Sequence, residues 1–492
     1  MRQFTIQRVM FVTLFALIFI IGMRIPVDTD TWWHIRSGEH TLNEGMIHED
    51  PFSHSMQGEP WINHSWGSQI ILYGVWQIAG NAGLALYTAI LATAGMALLY
   101  PICAGNVYVR AFALALGALT ASVFWSARPQ MLSFVFSALV LLILYRYKRQ
   151  RVDWLWLLPP VMLVWGNLHA GFSIGFIFMG GFIAGEILGH LFRRGDSPDA
   201  PLVPPRGIRK LIVVALVSVA ALVVNPYGLE MLRVPFDTVG IGVLRQYIQE
   251  WNSPNFQERQ TWPFILMLVS LLGLVGASRK SLDWTDFVLV SGTLFMALLY
   301  GRNIAVFAVA ATPVLAHHAD AALSARGWAF QPATRVAPRQ ARLNQILVAL
   351  VLLAALAYVA YVIDPQRVDE AQREYLPVTV AAFIAAERPP GPMFNSYNWG
   401  GYLLWALPDY PVYVDGRTDL YRDTFLTRYL RAALGHDNWR DTLDEDGINL
   451  VVIEPGSGLA RALNAEPGWS QIYPTDDYPD ESAVIYRREI QP

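Results

Sequence analysis

The chain has 492 residues, 54% of them hydrophobic and only 15% charged, whereas soluble domains carry nearer a quarter charged residues. That balance excludes an ordinary soluble protein and predicts a polytopic α-helical membrane protein. A net charge of −3 offers no basic surface for nucleic acid, and the single cysteine, Cys103, excludes an intrachain disulfide.

In chain order, apolar runs near the length that crosses about 30 Å of hydrocarbon fall at 8–24, 82–103, 109–126, 130–146, 153–168, 171–191, 210–225, 262–277, 285–300, 303–318 and 344–363. They predict about eleven transmembrane helices. The first is followed by Arg24 and acidic sequence rather than a small-residue cleavage site, so it reads as a retained anchor. The polar stretch 25–66 comes next, and residues 67–80 read as an amphipathic helix at the interface. After the last run the texture changes to alternating polar and apolar residues. PVYVDGR (411–417), INLVVIEPG (448–456) and SAVIYRR (482–488) predict strands, and 420–435 and 457–465 predict helices. The expected organisation is a multi-span membrane domain over 1–363, carrying a first external loop at 25–66, and a soluble α/β or α+β domain over 364–492.

Basic residues give an orientation. Arg2 and Arg8 precede the first run, and Arg146, Lys148, Arg149 and Arg151 follow the fourth. Arg193, Arg194, Arg206, Arg209 and Lys210 surround the 192–210 loop, Arg279 and Lys280 follow the eighth run, and Arg326, Arg335, Arg339 and Arg342 fill 319–343. With eleven spans all of these fall on one side, which the positive-inside rule makes cytoplasmic. The expectation is a multi-pass protein of the cell membrane, its amino terminus cytoplasmic and its carboxy-terminal domain extracytoplasmic.

The outward ends collect polar groups. Asp28 and Asp30 end the first span, and Arg128 lies between the third and fourth. Asn167 and His169 sit in WGNLHAG, Glu250 in QEWNSP, and Arg302 between the ninth and tenth. Charge in hydrocarbon is costly, so such groups face water or a cavity. This asymmetry predicts an outward-opening site in which Asp30, Asp50, Arg128, His169 and Arg302 converge.

The first loop reads Asp30-Thr-Trp-Trp-His-Ile-Arg36, then Gly45, Asp50-Pro51 and Gly58-Glu-Pro60. It resembles the first external loop of the oligosaccharyltransferase catalytic subunit, a family of GT-C glycosyltransferases. In the tail, Ser396-Tyr-Asn-Trp-Gly-Gly-Tyr402 followed by VYVDGRTDLY is similar in placement to that family's Trp-Trp-Asp-Tyr-Gly-Tyr segment and the Asp after it. Two departures narrow the resemblance. Tyr397, Asn398 and Trp399 stand where the sequon-reading Trp-Trp-Asp would be, and the turn between the third and fourth spans, SARPQ, lacks a second acidic pair. What the resemblance implies is therefore the broader GT-C class, moving a sugar from a polyprenyl-phosphate carrier to a saccharide, lipid or protein acceptor.

Attack on an anomeric carbon needs a base for the acceptor hydroxyl and cationic help for the leaving phosphate. Asp30 or Asp28 is the expected base, and Asp50 a second acid that orients the acceptor. Any divalent ion, Mg2+ or Mn2+, would sit on Asp30 and Asp50. Arg36, Arg128 and Arg302 are phosphate candidates, because guanidinium matches phosphate bidentately. His34 and His169 would donate to phosphate or sugar, and Trp32, Trp33 and Trp61 would stack on sugar faces or form an interface belt. His64, Asn167, Glu250, Trp399, Asp415 and Arg417 complete the substrate-binding set. Two rivals remain. A transporter or flippase for a lipid-linked or anionic solute would place ionisable groups inside spans, where Glu186 is the clearest. A noncatalytic assembly protein would leave Asp28, Asp30 and Asp50 dispensable.

Overall fold

The computed structural model describes residues 4–192, 201–242, 249–328, 336–436 and 438–489. Arg2, Arg193, Arg194 and Arg335 lie outside the described residues. The chain divides into two compact units, one of residues 1–24, 82–232 and 248–364, the other of 25–81, 233–247 and 365–492.

The first unit is helical, as an apolar chain must be where water is absent, because a helix satisfies its own backbone groups. Each of the eleven apolar runs coincides with a helix. Among the described residues seven helices are long and apolar enough to cross a membrane, while Ile6–Gly22, Leu155–Leu168 and Trp284–Leu299 are shorter. The Ile304–Ser324 helix is buried along most of its length and packs on Val107–Ala121, Trp262–Ala277 and Trp284–Leu299. Pro338–Val362 is mostly exposed and packs on Ile6–Gly22. Small residues set the close approaches: a Cβ on Gly185 would fall 2.4 Å from Thr285 Cα. Glu186, the acid the sequence places inside a span, is neutralised by an ion pair with Lys148, whose ammonium also meets Asp283 at 2.6 Å and Thr285 at 2.8 Å. The acids and the lysine are all buried, so each needs the other.

The second unit is built on a four-stranded sheet. Strand β1 (Met393–Asn395) runs parallel to β2 (Leu450–Ile453), β2 is antiparallel to β4 (Val484–Arg488), and β4 is antiparallel to β3 (Trp469–Tyr473). The spatial order is β1-β2-β4-β3. Both expected strands at 448–456 and 482–488 are present, and helices Thr418–Ala433 and Gly458–Leu463 answer the expected pair.

PVYVDGR is the exception: it is extended but does not join the sheet. The Asn395 side chain accepts from Tyr413 N at 2.8 Å and donates to Val414 O at 2.8 Å, while His54 N donates to Val412 O at 3.0 Å. A side-chain amide and the first loop thus take the backbone groups that a strand neighbour would use.

The first loop is part of this unit. Its helix Asp30–Asn43 packs on the tail helix Tyr397–Ala406. Trp32 is fully buried there, its ring 4.5 Å from Trp405, 5.3 Å from Trp76 and 5.4 Å from Tyr402. The expected amphipathic segment 67–80 is helical, and Gly80 breaks Trp66–Leu99 with φ 52°, a left-handed value that glycine adopts without strain.

Candidate functional site

The acidic pair stands at the start of the Asp30–Asn43 helix. Asp28 accepts the Asp30 N–H at 3.0 Å and so satisfies a donor of the opening turn, where the helix dipole favours negative groups. Asp30 Oδ1 accepts from the Trp33 indole at 3.1 Å, one turn along the same helix. Both carboxylates are half-buried.

The tail closes around this turn at two glycines. A Cβ on Gly416 would lie 2.0 Å from Asp30 Oδ1, and a Cβ on Gly401 2.5 Å from the Thr29 carbonyl. No side chain fits at either point, so the backbone of NWGGY and of DGR rests directly on the DTD turn.

Beneath the turn lies a buried ionic triad. The Arg417 guanidinium forks onto Asp415, with Nε at 2.9 Å from Oδ1 and Nη2 at 2.7 Å from Oδ2, and its Nη1 pairs with Asp50. All three side chains are fully buried. Asp50 also accepts from Phe52 N at 3.2 Å, Ser53 N at 3.1 Å and the Ser53 hydroxyl. Burial opposes the charge of Arg417, but Asp415 and then Asp50 outweigh it, and its pKa lies well above the ordinary arginine value. Burial, then Asp415, likewise pushes the Tyr421 phenol well up, so its hydroxyl stays protonated and donates to Asp415 at 2.9 Å. Phe52 and Trp61 lie within cation–π reach of the guanidinium, at 5.2 and 5.0 Å.

This arrangement changes the roles expected for several residues. Asp50 does not face an acceptor; its oxygens are occupied by Arg417, Ser53 and backbone donors. For the same reason Asp30 and Asp50 do not fit as a paired seat for a divalent ion, and among the described residues no group of three or more His, Cys, Asp or Glu is placed to hold one. Trp33 and Trp61 are buried, their indole N–H groups engaged by Asp30 and by Asp419 at 3.1 Å, so neither offers an open ring face to a sugar. Trp399 is buried in its helix. His34 is buried, its ring centroid 3.5 Å from that of Trp33 at a tilt of 34°, and in contact with Gln69 at 3.3 Å. Arg36 pairs with Glu39 at 2.5 Å.

One residue of this group escaped the sequence reading. Asp419, the second residue of the Thr418–Ala433 helix that follows the DGR turn, accepts from Trp61 and lies 3.9 Å from His64 Nε2. Both Asp419 and His64 are about one-fifth exposed. Its signal was available: it stands in the same DGRTDLY segment as Asp415 and Arg417.

The outer-turn residues belong to the first unit. Arg128 and Arg302 flank a single carboxylate, with Glu250 at 3.8 Å from the one and 3.6 Å from the other. Arg302 also lies 4.4 Å over the Trp251 ring. The two guanidiniums thus lie beside one carboxylate, and their planar donor forks are of the kind that pairs with carboxylate or phosphate oxygens. Asn167 donates to Leu163 O and Val224 O, both at 2.9 Å, and ties two helix ends together. His169 Nδ1 accepts from Gly171 N at 3.1 Å and lies 2.7 Å from Ser133 Oγ, which in turn accepts the Trp165 indole at 2.7 Å. These bonds orient the imidazole within the turn.

No protein-family model matches the chain, and no curated protein matches it by sequence. Among solved structures it is similar to an apo oligosaccharyltransferase of Archaeoglobus fulgidus, at 13% identity over 91% of this chain and 69% of that one, with a TM-score of 0.48. It is also similar to ArnT from Cupriavidus metallidurans in the apo state, at 12% identity over 98% and 97%, with a TM-score of 0.49. The same ArnT bound to undecaprenyl phosphate gives 13% identity and a TM-score of 0.46 over the same shares.

Proposed function

We propose that this chain is a membrane glycosyltransferase that moves a sugar from a polyprenyl-phosphate carrier to an acceptor hydroxyl at the outer membrane face. The observation that carries the reading is the fixed position of Asp30: its turn is capped by Asp28, held by the Trp33 indole and seated on the Gly416 backbone. An interface loop with no chemistry needs no such seat.

In this reading Asp30 takes the proton of the acceptor hydroxyl as its oxygen bonds to the anomeric carbon. The bond from that carbon to the carrier phosphate breaks, and the polyprenyl phosphate leaves with the electron pair. The departing phosphate needs cationic help, and Arg128 and Arg302, whose guanidiniums match phosphate bidentately, are the sequence candidates for that role. Asp50, Arg417 and Asp415 form the framework under the base, and no step is routed through a metal ion. The basic segments lie in the cytoplasm, and the sheet-bearing unit and the first loop lie outside, by the distribution of Lys and Arg.

The test is transfer in membranes with expression matched between variants. Asp30→Asn keeps the shape of the side chain and cannot accept the proton. Loss of a general base is typically worth 10²–10⁴-fold, so transfer falls by about that factor while carrier binding persists. Full activity in Asp30→Asn removes it from the mechanism, and full activity in an Asp28/Asp30 double variant removes the loop.

A further inference from the structure

The first unit carries an apolar groove of about 520 Å3 between the Ile6–Gly22 and Pro338–Val362 helices. Phe11, Phe15 and Phe19 line one wall, at the spacing that puts residues on one helix face, and Leu352, Leu356 and Val359 line the other. The two helices are tied at one end, where Asn344 donates to Phe4 O at 2.7 Å.

That same end is basic. Arg8 lies on the stripe that carries Phe11 and Phe15, one turn earlier, and is half-buried. The Tyr100 ring stands 5.2 Å from Phe11 and 6.0 Å from Phe15, and the Arg110 guanidinium lies 5.0 Å over that ring. The Arg110 Nε donates to Gly105 O at 2.9 Å, which fixes the guanidinium over the Tyr100 ring that adjoins Phe11 and Phe15. No charged residue lines the groove itself.

We infer that the groove binds one acyl chain of an anionic phospholipid, whose headgroup phosphate is held by Arg8 and Arg110. Length selects this occupant. Eight residues from Phe11 to Phe19 span about 12 Å of helix, close to the roughly 15 Å of one leaflet of a 30 Å core. A lipid chain of one leaflet fills that distance, whereas a many-unit isoprenoid overruns it. Charge selects the headgroup, because basic pockets between membrane helices hold anionic lipids in preference to zwitterionic ones. This site is independent of the transfer reaction, and neither reading depends on the other.

The experiment is native mass spectrometry of the full-length protein with equimolar dioleoyl-phosphatidylglycerol, dioleoyl-phosphatidylcholine and undecaprenyl phosphate. The expected result is retention of phosphatidylglycerol at least several-fold above phosphatidylcholine. Arg110→Gln, which removes the guanidinium and keeps a polar side chain, brings phosphatidylglycerol down to the phosphatidylcholine level. Ala16→Trp, which fills the groove floor, removes both. Equal retention of the two phospholipids, or unchanged retention in Arg110→Gln, overturns the proposal. Preferential retention of undecaprenyl phosphate that Ala16→Trp abolishes also overturns it, by giving the groove to the carrier.

Discussion

Replacing Asp50 by Asn separates a framework role from a chemical one. In the folded chain Asp50 Oδ1 accepts from Arg417 and Phe52 N, while Oδ2 accepts from Ser53 N and the Ser53 hydroxyl. An asparagine has one oxygen and one NH2. Whichever way it turns, its NH2 faces donors where an acceptor is needed. The charge opposite Arg417 also disappears from a fully buried site. Removing one partner of a buried ion pair costs about 3–5 kcal/mol. Arg417 keeps its fork onto Asp415, which places Asp50→Asn near the lower end, about 3 kcal/mol. That is roughly a hundredfold in the folded ratio at 1.4 kcal/mol per decade. Arg417→Met strands two buried carboxylates instead of one cation and belongs at the upper end, about 5 kcal/mol. Pulse proteolysis across a denaturant series, with cleavage followed in the 44–60 segment, measures both. Transfer per folded molecule is measured alongside and stays near that of the parent. A cost below about 1 kcal/mol for Asp50→Asn, together with a selective fall in turnover, refutes the framework reading and returns Asp50 to the chemistry.

Gly416→Ala drives a methyl into Asp30 Oδ1, so transfer falls at least as far as in Asp30→Asn while the midpoint of denaturation moves little; an active Gly416→Ala means that Asp30 does not need its seat. His54 supplies a pH dependence. Burial holds its imidazole below the ordinary range, against the opposing pull of the Met393 carbonyl and Asp446. The folded pKa lies below the unfolded value, so the stability it contributes is present above about pH 6.5 and is lost as pH falls through the folded value. Denaturation midpoints therefore drop on acidification below about pH 6.5, and His54→Asn flattens that part of the profile; an equal slope in the variant assigns the effect elsewhere. For topology, Cys103 is buried, so Glu481→Cys at an exposed position adds one accessible thiol. It reacts with an impermeant reagent in intact cells, and reaction only after lysis reverses the orientation.

The helices of the first unit were readable from sequence because hydrocarbon leaves an apolar chain no other way to satisfy its backbone. The tail was harder. β2 and β4 announce themselves as LVVI and VIYRR, yet PVYVDGR has the same texture and stays out of the sheet. Alternation reports burial of Val412 and Val414, and both are buried, but it does not report who supplies the hydrogen bonds. Here the supplier is Asn395, and no local pattern marks it. The tryptophans mislead for a related reason: sequence shows an aromatic cluster beside carboxylates, but only the fold shows the Trp33 and Trp61 N–H groups turned onto Asp30 and Asp419. Asp50 was singled out correctly as a special carboxylate and given the wrong surroundings, because its partner stands 367 residues away.

That separation bears on what the tail is. The first loop contains one helix of 14 residues, about the length at which an isolated helix is marginal in water. Its hydrophobic partners Tyr402 and Trp405, the glycine backbone under Asp30 and the cation for Asp50 all come from beyond residue 400. Without them Trp32 loses two of its three ring contacts and Asp50 loses its charge partner, and both penalties fall on the same short segment. The tail is therefore the other half of the loop's core rather than a module appended to a finished site. A chain cut after Asp364 keeps every apolar helix of the first unit and still carries Asp28 and Asp30, yet its 25–81 segment has lost all of these tail partners. Proteases should cut that segment in the truncated chain and spare it in the full one. A truncated chain whose 25–81 segment resists cleavage refutes the claim that the acidic turn is built by both ends of the sequence.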